Sequence, residues 1–330
     1  MTIGLTYDLR ADYLAEGFTD DQVLEFDSAE TIDAIDDAIR ALGHATDRIG
    51  HARALCARLV KGDRWDLVFN IAEGMYGRCR EALVPALLDA YRIPYTFSDG
   101  LTCAVTLDKA VAKKLVHAAG IPTPRFRVIS ATDELHGLDL AFPVFAKPVA
   151  EGTGKGVTAA SRIESPAMLA GVCAELLRLY AQPVLIEEYL PGREFTVGVW
   201  GTDDDARVVG AMEVLFNGNA AAAYTAHVKK HYLEHVRYAR VPESALRNKL
   251  CALALGAYRA LECRDAARVD ARCDAGGEPS FIEINPLAGL HPVDSDLVIL
   301  SKLEGMSYGE LVGGIVQRAL ARAGVARAGH

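Results

Sequence analysis

Apolar residues recur along this chain in two rhythms. Short unbroken or alternating runs read as strands, and runs with apolar positions three and four apart read as helices. Residues 3–7 and 66–71 are apolar runs that predict two buried strands. Between them Ile32, Ile35, Ile39 and Leu42 fall on one helical stripe. Asp27 and Glu30 have the spacing of a capping box there, and Gly43 is the stop. Residues 81–91 predict a further helix. This is the opening of a small parallel-sheet α/β domain.

The rhythm changes after Pro94 and the polar turn at 98–100, a natural boundary. Asp108 can cap a helix over 109–119, which Gly120 ends, with Pro122 and Pro124 beyond it. Residues 126–129, 144–147 and 184–189 read as strands, and 166–180 as a helix. Residues 151–156 form a glycine-rich turn, after which 157–160 resume the strand pattern. Residues 194–200 and 207–215 read as an antiparallel pair, 244–261 as a helix, 267–273 and 280–285 as a hairpin, and 308–323 as a last helix. No internal repeat is visible.

Three stretches could carry chemistry. Arg268 and Asp270 are two apart on one strand, and so are Glu283 and Asn285 on the next, so four polar groups share one face of the hairpin. Val269, Ala271, Ile282 and Ile284 fill the other face. Two carboxylates and an amide oxygen suit Mg²⁺ carried with phosphates, and an adjacent arginine suits a transferring phosphoryl group. An ordinary solvated hairpin shows the same alternation. The second stretch is 147–156, where glycines and two lysines, Lys147 and Lys155, could cradle phosphate. It is not a Walker loop, because Gly156 follows Lys155 where Ser or Thr is required. A plain hairpin turn is the other reading. The third is 187–194, where Glu187, Glu188, Tyr189, Leu190 and Glu194 could meet a purine edge and a ribose, or form an exposed acidic turn.

Composition sharpens this. The chain has 330 residues, 51% of them hydrophobic and 24% charged, so it folds. Only 10 of its 35 cations are lysines, which gives weight to Lys109, Lys147 and Lys155, while Lys113 and Lys114 read as helix surface. A net charge of −9 without a basic block argues against nucleic acid. No apolar run is long enough to span a bilayer, and the first residues carry no signal-peptide pattern. The seven scattered cysteines read as reduced thiols, and the expected location is cytoplasmic. His227, His231 and His235 have i, i+4 spacing, but their basic surroundings favour a segment that meets phosphate or carboxylate over a metal site.

In this order the motifs resemble the ATP-grasp superfamily, and within it the D-alanine–D-alanine ligase family, over about residues 66–320. The residues that carry the resemblance are Lys109, the 143–148 strand, Glu151-Gly152-Thr153, Ile186 to Leu190, Glu194 to Val197, Arg268-Val269-Asp270 and Phe281 to Asn285. The resemblance implies an ATP-grasp fold of mixed α/β and α+β type. An N-terminal parallel-sheet domain (1–98) precedes two α+β subdomains (99–186 and 187–330) that clasp ATP. It implies Lys109, Lys147 and Lys155 on phosphates, Glu187, Glu188, Tyr189 and Leu190 at the adenine, and Glu194 on the ribose. Asp270, Glu283 and Asn285 would hold Mg²⁺, or Mn²⁺ in its place. Arg268, Thr153 and Glu151 would serve catalysis. The implied reaction joins a carboxylate to an amine through an acylphosphate, releasing ADP and phosphate. The implied assembly is a homodimer.

The departures fall on amino-acid recognition. Residues 69–74 replace the family's His-Gly loop, and Glu16, Glu25 and Glu73 all compete for its N-terminal glutamate. Residues 285–292 replace its Asn-Thr-x-Pro-Gly end, and its later serine falls on Asp294 or Ser295. Tyr224 and Lys229 are candidates in the substrate-covering stretch. The expected function is therefore an ATP-dependent ligase of small amino acids or related metabolites. The alternatives are a D-alanine–D-alanine ligase of cell-wall synthesis and a non-catalytic nucleotide-binding module. The first fifty residues hold 12 acids against three arginines. Asp33, Asp36 and Asp37 read as a solvated helix face, while Asp8, Asp12, Glu16 and Glu25 are candidates to hold a substrate amine.

Overall fold

The computed structural model describes residues 1–216 and 236–324. Among these, three sheets form. The first is parallel, with β1 (Thr2–Thr6) between β2 (Ala45–Gly50) and β3 (Leu67–Asn70). The second is antiparallel and holds β4 (Phe126–Ile129), β5 (Val144–Pro148), β6 (Arg162–Ile163) and β7 (Val184–Glu188) in the order β4-β7-β5-β6. The third is also antiparallel. It holds β8 (Glu194–Trp200), β9 (Arg207–Phe216), β10 (Val236–Arg240), β11 (Ala266–Cys273) and β12 (Pro279–Asn285) in the order β10-β9-β8-β11-β12. Parallel and antiparallel sheets in one mixed α/β molecule are the expected ATP-grasp architecture.

The stripe Ile32, Ile35 and Ile39 of the helix Ala29–Ala41 packs on Ile3, Leu5, Leu67 and Phe69 of the first sheet. Leu311, Val312, Ile315 and Val316 of the last helix, Tyr308–Arg322, join the same core. The end of the chain thus closes over its beginning, each buried aliphatic side chain contributing about 1.5–3 kcal/mol. The helix Pro166–Tyr180 covers the second sheet, and Ala245–Ala260 covers the third.

Several expectations are corrected. Ser28, not Asp27, caps the helix Ala29–Ala41, its Oγ accepting from Thr31 N at 3.3 Å. Asp36 is only 4% exposed and meets Arg40, Arg48 and Thr46, so it is structural and not solvated. Residues 157–160 do not continue a strand: Ala159–Ser161 is a single 3₁₀ turn, and β6 is two residues long. Ile282 does not join the core face. The β11–β12 register slips between Asp270 and Ala271, so Phe281 takes the core position and Ile282 turns towards a cavity. β2, the helix Ala52–Val60, the helix Gly100–Leu107 and the helix Asp296–Leu303 carry no clear apolar period and escaped the pattern.

The last helix is fitted closely to β8. A Cβ on Gly314 would lie 1.8 Å from Trp200 Cζ2, and the Arg318 guanidinium sits 3.9 Å from the ring centroid. Gly309, on the same helix, has nothing within 4 Å of its Cβ direction. Gly314→Ala should therefore destabilise by about 1–3 kcal/mol through overpacking. Gly309→Ala should be neutral or stabilise by up to about 1 kcal/mol. Urea unfolding of the two variants checks the contrast.

Candidate active site

One buried ion cluster sets the first half of the site. Glu187 on β7 lies opposite Phe145 of β5, one residue before the end of its strand. Its Oε1 meets Lys147 Nζ at 2.8 Å and its Oε2 meets Lys113 Nζ at 2.9 Å. Lys113 is 0% exposed, not helix surface as the sequence suggested. It also donates to Thr123 Oγ1 at 2.9 Å and to Phe281 O of β12 at 3.4 Å. Burial pushes the Glu187 carboxyl up, but the two ammonium groups outweigh it and hold it down to about 2. Burial pulls the Lys113 ammonium down, and Glu187 only partly offsets this.

The cluster forms the floor of a cavity of about 130 Å³ between the second and third sheets. Lys109, Lys147, Lys155, Glu187, Glu188, Tyr189, Leu190 and Glu194, all expected at the nucleotide, line it together with Asp270 and Glu283. Glu187 and Glu188 are engaged by protein partners. Glu188 accepts from Ala141 N at 3.0 Å and meets Arg125 at 3.3 Å. Phe145 stacks near Tyr189, with ring centroids 6.4 Å apart. Arg272 is a residue the sequence reading missed. It donates to the Tyr189 hydroxyl at 2.7 Å and meets Glu194 Oε2 at 3.1 Å. The available signal was its position two residues beyond Asp270 on the same strand face.

A second cavity, of about 410 Å³, adjoins the first. Lys109, Glu151 and Glu283 line both. Lys109 Nζ stands 3.6 Å from Glu283 and donates to Glu151 O at 2.5 Å. Glu151 itself is tied to Lys155 at 2.9 Å and accepts from Gln182 at 2.6 Å. Thr153 lines the larger cavity with φ +51°. Arg268, Glu283 and Asn285 line it too. Asp270 and Glu283 are direct cross-strand partners, as are Arg268 and Asn285. Thr196 Oγ1 donates to Asp270 at 2.9 Å, and Arg268 Nη2 lies 3.1 Å from it. Among the described residues no group of three or more His, Cys, Asp and Glu is set to hold a metal ion. The candidate set is two carboxylates and an amide. The carboxylate oxygens of Asp270 and Glu283 and the amide oxygen of Asn285 are hard donors on neighbouring strands and fit a small oxygen-seeking cation.

The N-terminal segment supplies the acidic end of the larger cavity. Glu25, Asp27, Glu73 and Glu81 line it. Of the acids expected to hold an amine, Asp8 is taken by the Tyr13 hydroxyl at 2.5 Å and Gly74 N at 2.8 Å. Asp12 and Glu16 lie outside the lining and are exposed. Glu25 accepts from Gly152 N and meets Arg80 at 2.8 Å, while Arg80 also donates to Ala150 O at 2.8 Å. The N-terminal acid therefore reaches across to the glycine-rich loop. Burial pushes Asp27 up to about 7, helped by Asp8. Burial pushes Glu81 up to about 7 against the pull of Arg80, and raises Glu73 well above the usual carboxylate range.

The far wall is made by 291–297. Asp294 meets His291 Nδ1 at 2.7 Å, and Ser295 Oγ accepts from His291 N at 2.8 Å. Neither reaches Arg268. The next residue, Asp296, does: it is 8% exposed, contacts Arg268 Nη1 and accepts from the Tyr238 hydroxyl at 3.0 Å. Tyr224, Lys229, His227, His231 and His235 lie outside the described residues.

Residues 115–317 match the family described as the D-ala D-ala ligase C-terminus. The chain is 35% identical over 254 residues to the uncharacterized protein y4sG of Sinorhizobium fredii, covering 76% of this chain and 73% of that one. It is 31% identical over 308 residues to a D-alanine–D-alanine ligase of the same organism, covering 93% and 96%. The crystal structure of a Bacillus anthracis D-alanine–D-alanine ligase complexed with ATP superimposes with a TM-score of 0.73 at 20% identity, covering 98% and 99%.

Glu81 allows a check of the acidic end. Its folded carboxyl titrates near 7, above its ordinary 4.5, so the folded state binds the extra proton between those values. Its contribution to stability is fully present below the ordinary value and is lost as pH rises through about 7. Glu81→Gln should therefore raise Tm more at pH 8 than at pH 5, the difference being a few degrees. Thermal melts at the two pH values read it.

Proposed function

The chain belongs to the D-ala D-ala ligase C-terminus family, and from that premise we propose that it is an ATP-dependent ligase that forms an amide through an acylphosphate. The observation that carries this is the shared wall. A slot lined by three lysines and an acidic chamber meet at Lys109, Glu151 and Glu283, where a terminal phosphate and a substrate carboxylate would come together.

The roles follow from charge. Lys109, Lys147 and Lys155 neutralise the phosphates of ATP, and Glu187 holds two lysines in place at the floor. Tyr189 and Leu190 bound the base end, and Glu194 takes the ribose. Asp270, Glu283 and Asn285 would hold Mg²⁺, which supplies charge neutralisation when bound. The donor carboxylate attacks the γ-phosphate in line, ADP leaves, and the acylphosphate remains beside Arg268. The amine then attacks the acyl carbon, and phosphate departs. Thr153 and the loop around Glu151 cover the reacting phosphate and exclude water. Such a reaction uses cytoplasmic ATP, and no helix among the described residues is long and apolar enough to cross a membrane.

The relatives named D-alanine–D-alanine ligase support D-alanine as the amino acid activated. Following those names on both sides gives the second reading, a D-alanine–D-alanine ligase. In that case D-alanine alone should yield the dipeptide by mass spectrometry.

The purified protein with Mg²⁺-ATP and a panel of amino acids should release ADP only when a donor is present. Glu283→Gln should lower that rate by on the order of 10²–10³ or more while the fold melts normally. A protein that binds ATP yet releases no ADP with any donor and amine would overturn the ligase reading.

A further inference from the structure

We infer, on the nucleotide placement of the ligase reading, that Arg272 positions the nucleoside. Its single guanidinium holds Tyr189 and Glu194, the two ends of the segment that frames base and sugar, and so sets selection for a nucleotide that carries its ribose hydroxyls.

Tyr189 follows β7 and Glu194 opens β8, with four residues between them. This turn lies against the end of β11. Gly192 N donates to Cys273 O at 2.9 Å, and Cys273 N donates to Arg193 O at 2.8 Å. A Cβ on Gly192 would stand 2.6 Å from Cys273 O, so the close approach depends on glycine. Arg272, one residue back on β11, is the cross-strand partner of Glu194. Its Nη1 lies 3.1 Å from Glu194 Oε2, and its Nη2 donates to the Tyr189 hydroxyl at 2.7 Å. The guanidinium carbon is 4.8 Å from the centroid of the Tyr189 ring. All three residues line the smaller cavity.

The two polar contacts use different nitrogens of one rigid planar group, which a lysine ammonium could not reproduce. A carboxylate gripped in this way is fixed in angle, the condition for accepting from sugar hydroxyls. The Arg272 and Glu194 side chains are 14% and 19% exposed, so solvent screens the pair little. Without the guanidinium, Glu194 would also face the phosphates as an uncompensated negative charge. Arg272 acts through Glu194 and Tyr189 and is a positioning residue. Arg162 supplies the contrast. Its guanidinium carbon lies 4.5 Å from the centroid of the same ring, but it pairs with Glu164 at 2.9 Å and does not line the cavity.

Calorimetry of the purified protein, with no donor present, compares Mg²⁺-ATP with the Mg²⁺ complex of its 2′,3′-dideoxy analogue. A protein that binds neither overturns the ligase reading, and this inference with it. The wild type should bind ATP at least about tenfold more tightly than the analogue, as hydrogen bonds to a charged acceptor provide. Arg272→Met should lower that ratio at least about threefold, while Arg162→Met leaves it unchanged. Because a ratio is read, a general loosening of the slot cancels. Should Arg272→Met fail to fold, Arg272→Lys reads the same ratio and should lower it, since one ammonium cannot hold both partners. ATP binding with a wild-type ratio near one overturns the inference and leaves the ligase reading standing. A ratio unchanged in the folded Arg272 variant, or lowered as much by Arg162→Met, does the same.

Discussion

Glu187 between Lys113 and Lys147 is the contact on which the rest of the site depends. Four separate segments meet there: the helix Lys109–Ala118, β5, β7 and, through Phe281 O, β12. Two ammonium groups cannot stay buried side by side without an anion between them, and a lone carboxylate could not stay buried without them. The cluster therefore fixes the distance between the second and third sheets at the depth where the nucleotide is proposed to lie. Of its three charges Lys147 and Glu187 line the cavity, while Lys113 is buried behind them.

A second constraint joins the N-terminal segment to that slot. Glu25 and Arg80, both nearly buried, hold the backbone at Ala150 and Gly152. A Cβ on Gly152 would stand 2.6 Å from Glu25 Oε1, so the close approach depends on glycine. The loop proposed to cover the reacting phosphate is thus anchored by residues of the acidic chamber.

The sequence made the phosphate side legible because its residues sit on regular strands. Lys147, Glu187, Asp270 and Glu283 occupy positions whose facing follows from a period of two. Arg272 obeyed the same period and could have been found by extending it one step. Lys113 could not. A lysine one helical turn after Lys109 reads as surface until it is known that β7 brings Glu187 under it. Asp296 was hidden for another reason. It follows a stretch of 10 irregular residues after Asn285, through which no period carries facing. Only the fold shows that the third acidic or hydroxyl residue in the run 294–296 is the one turned to Arg268. The bulge that moved Ile282 out of the core is likewise invisible to alternation.

The concentration of acids in the first fifty residues now divides into separate fates. Asp36 is neutralised by Arg40 and Arg48 and holds a helix to β2. Asp12, Glu16, Asp20 and Asp21 are at the surface. Glu25 and Asp27 enter the larger cavity, where Glu73, Glu81, Asp294 and Asp296 join them. Lys147 and Lys155 line the slot alone, Glu25, Asp27, Glu73 and Glu81 line the chamber alone, and Lys109 stands beside Glu283 at the junction. Of the twelve acids in the first fifty residues Glu25 and Asp27 line the chamber and none lines the slot, so most of the acid excess there is surface and structural charge.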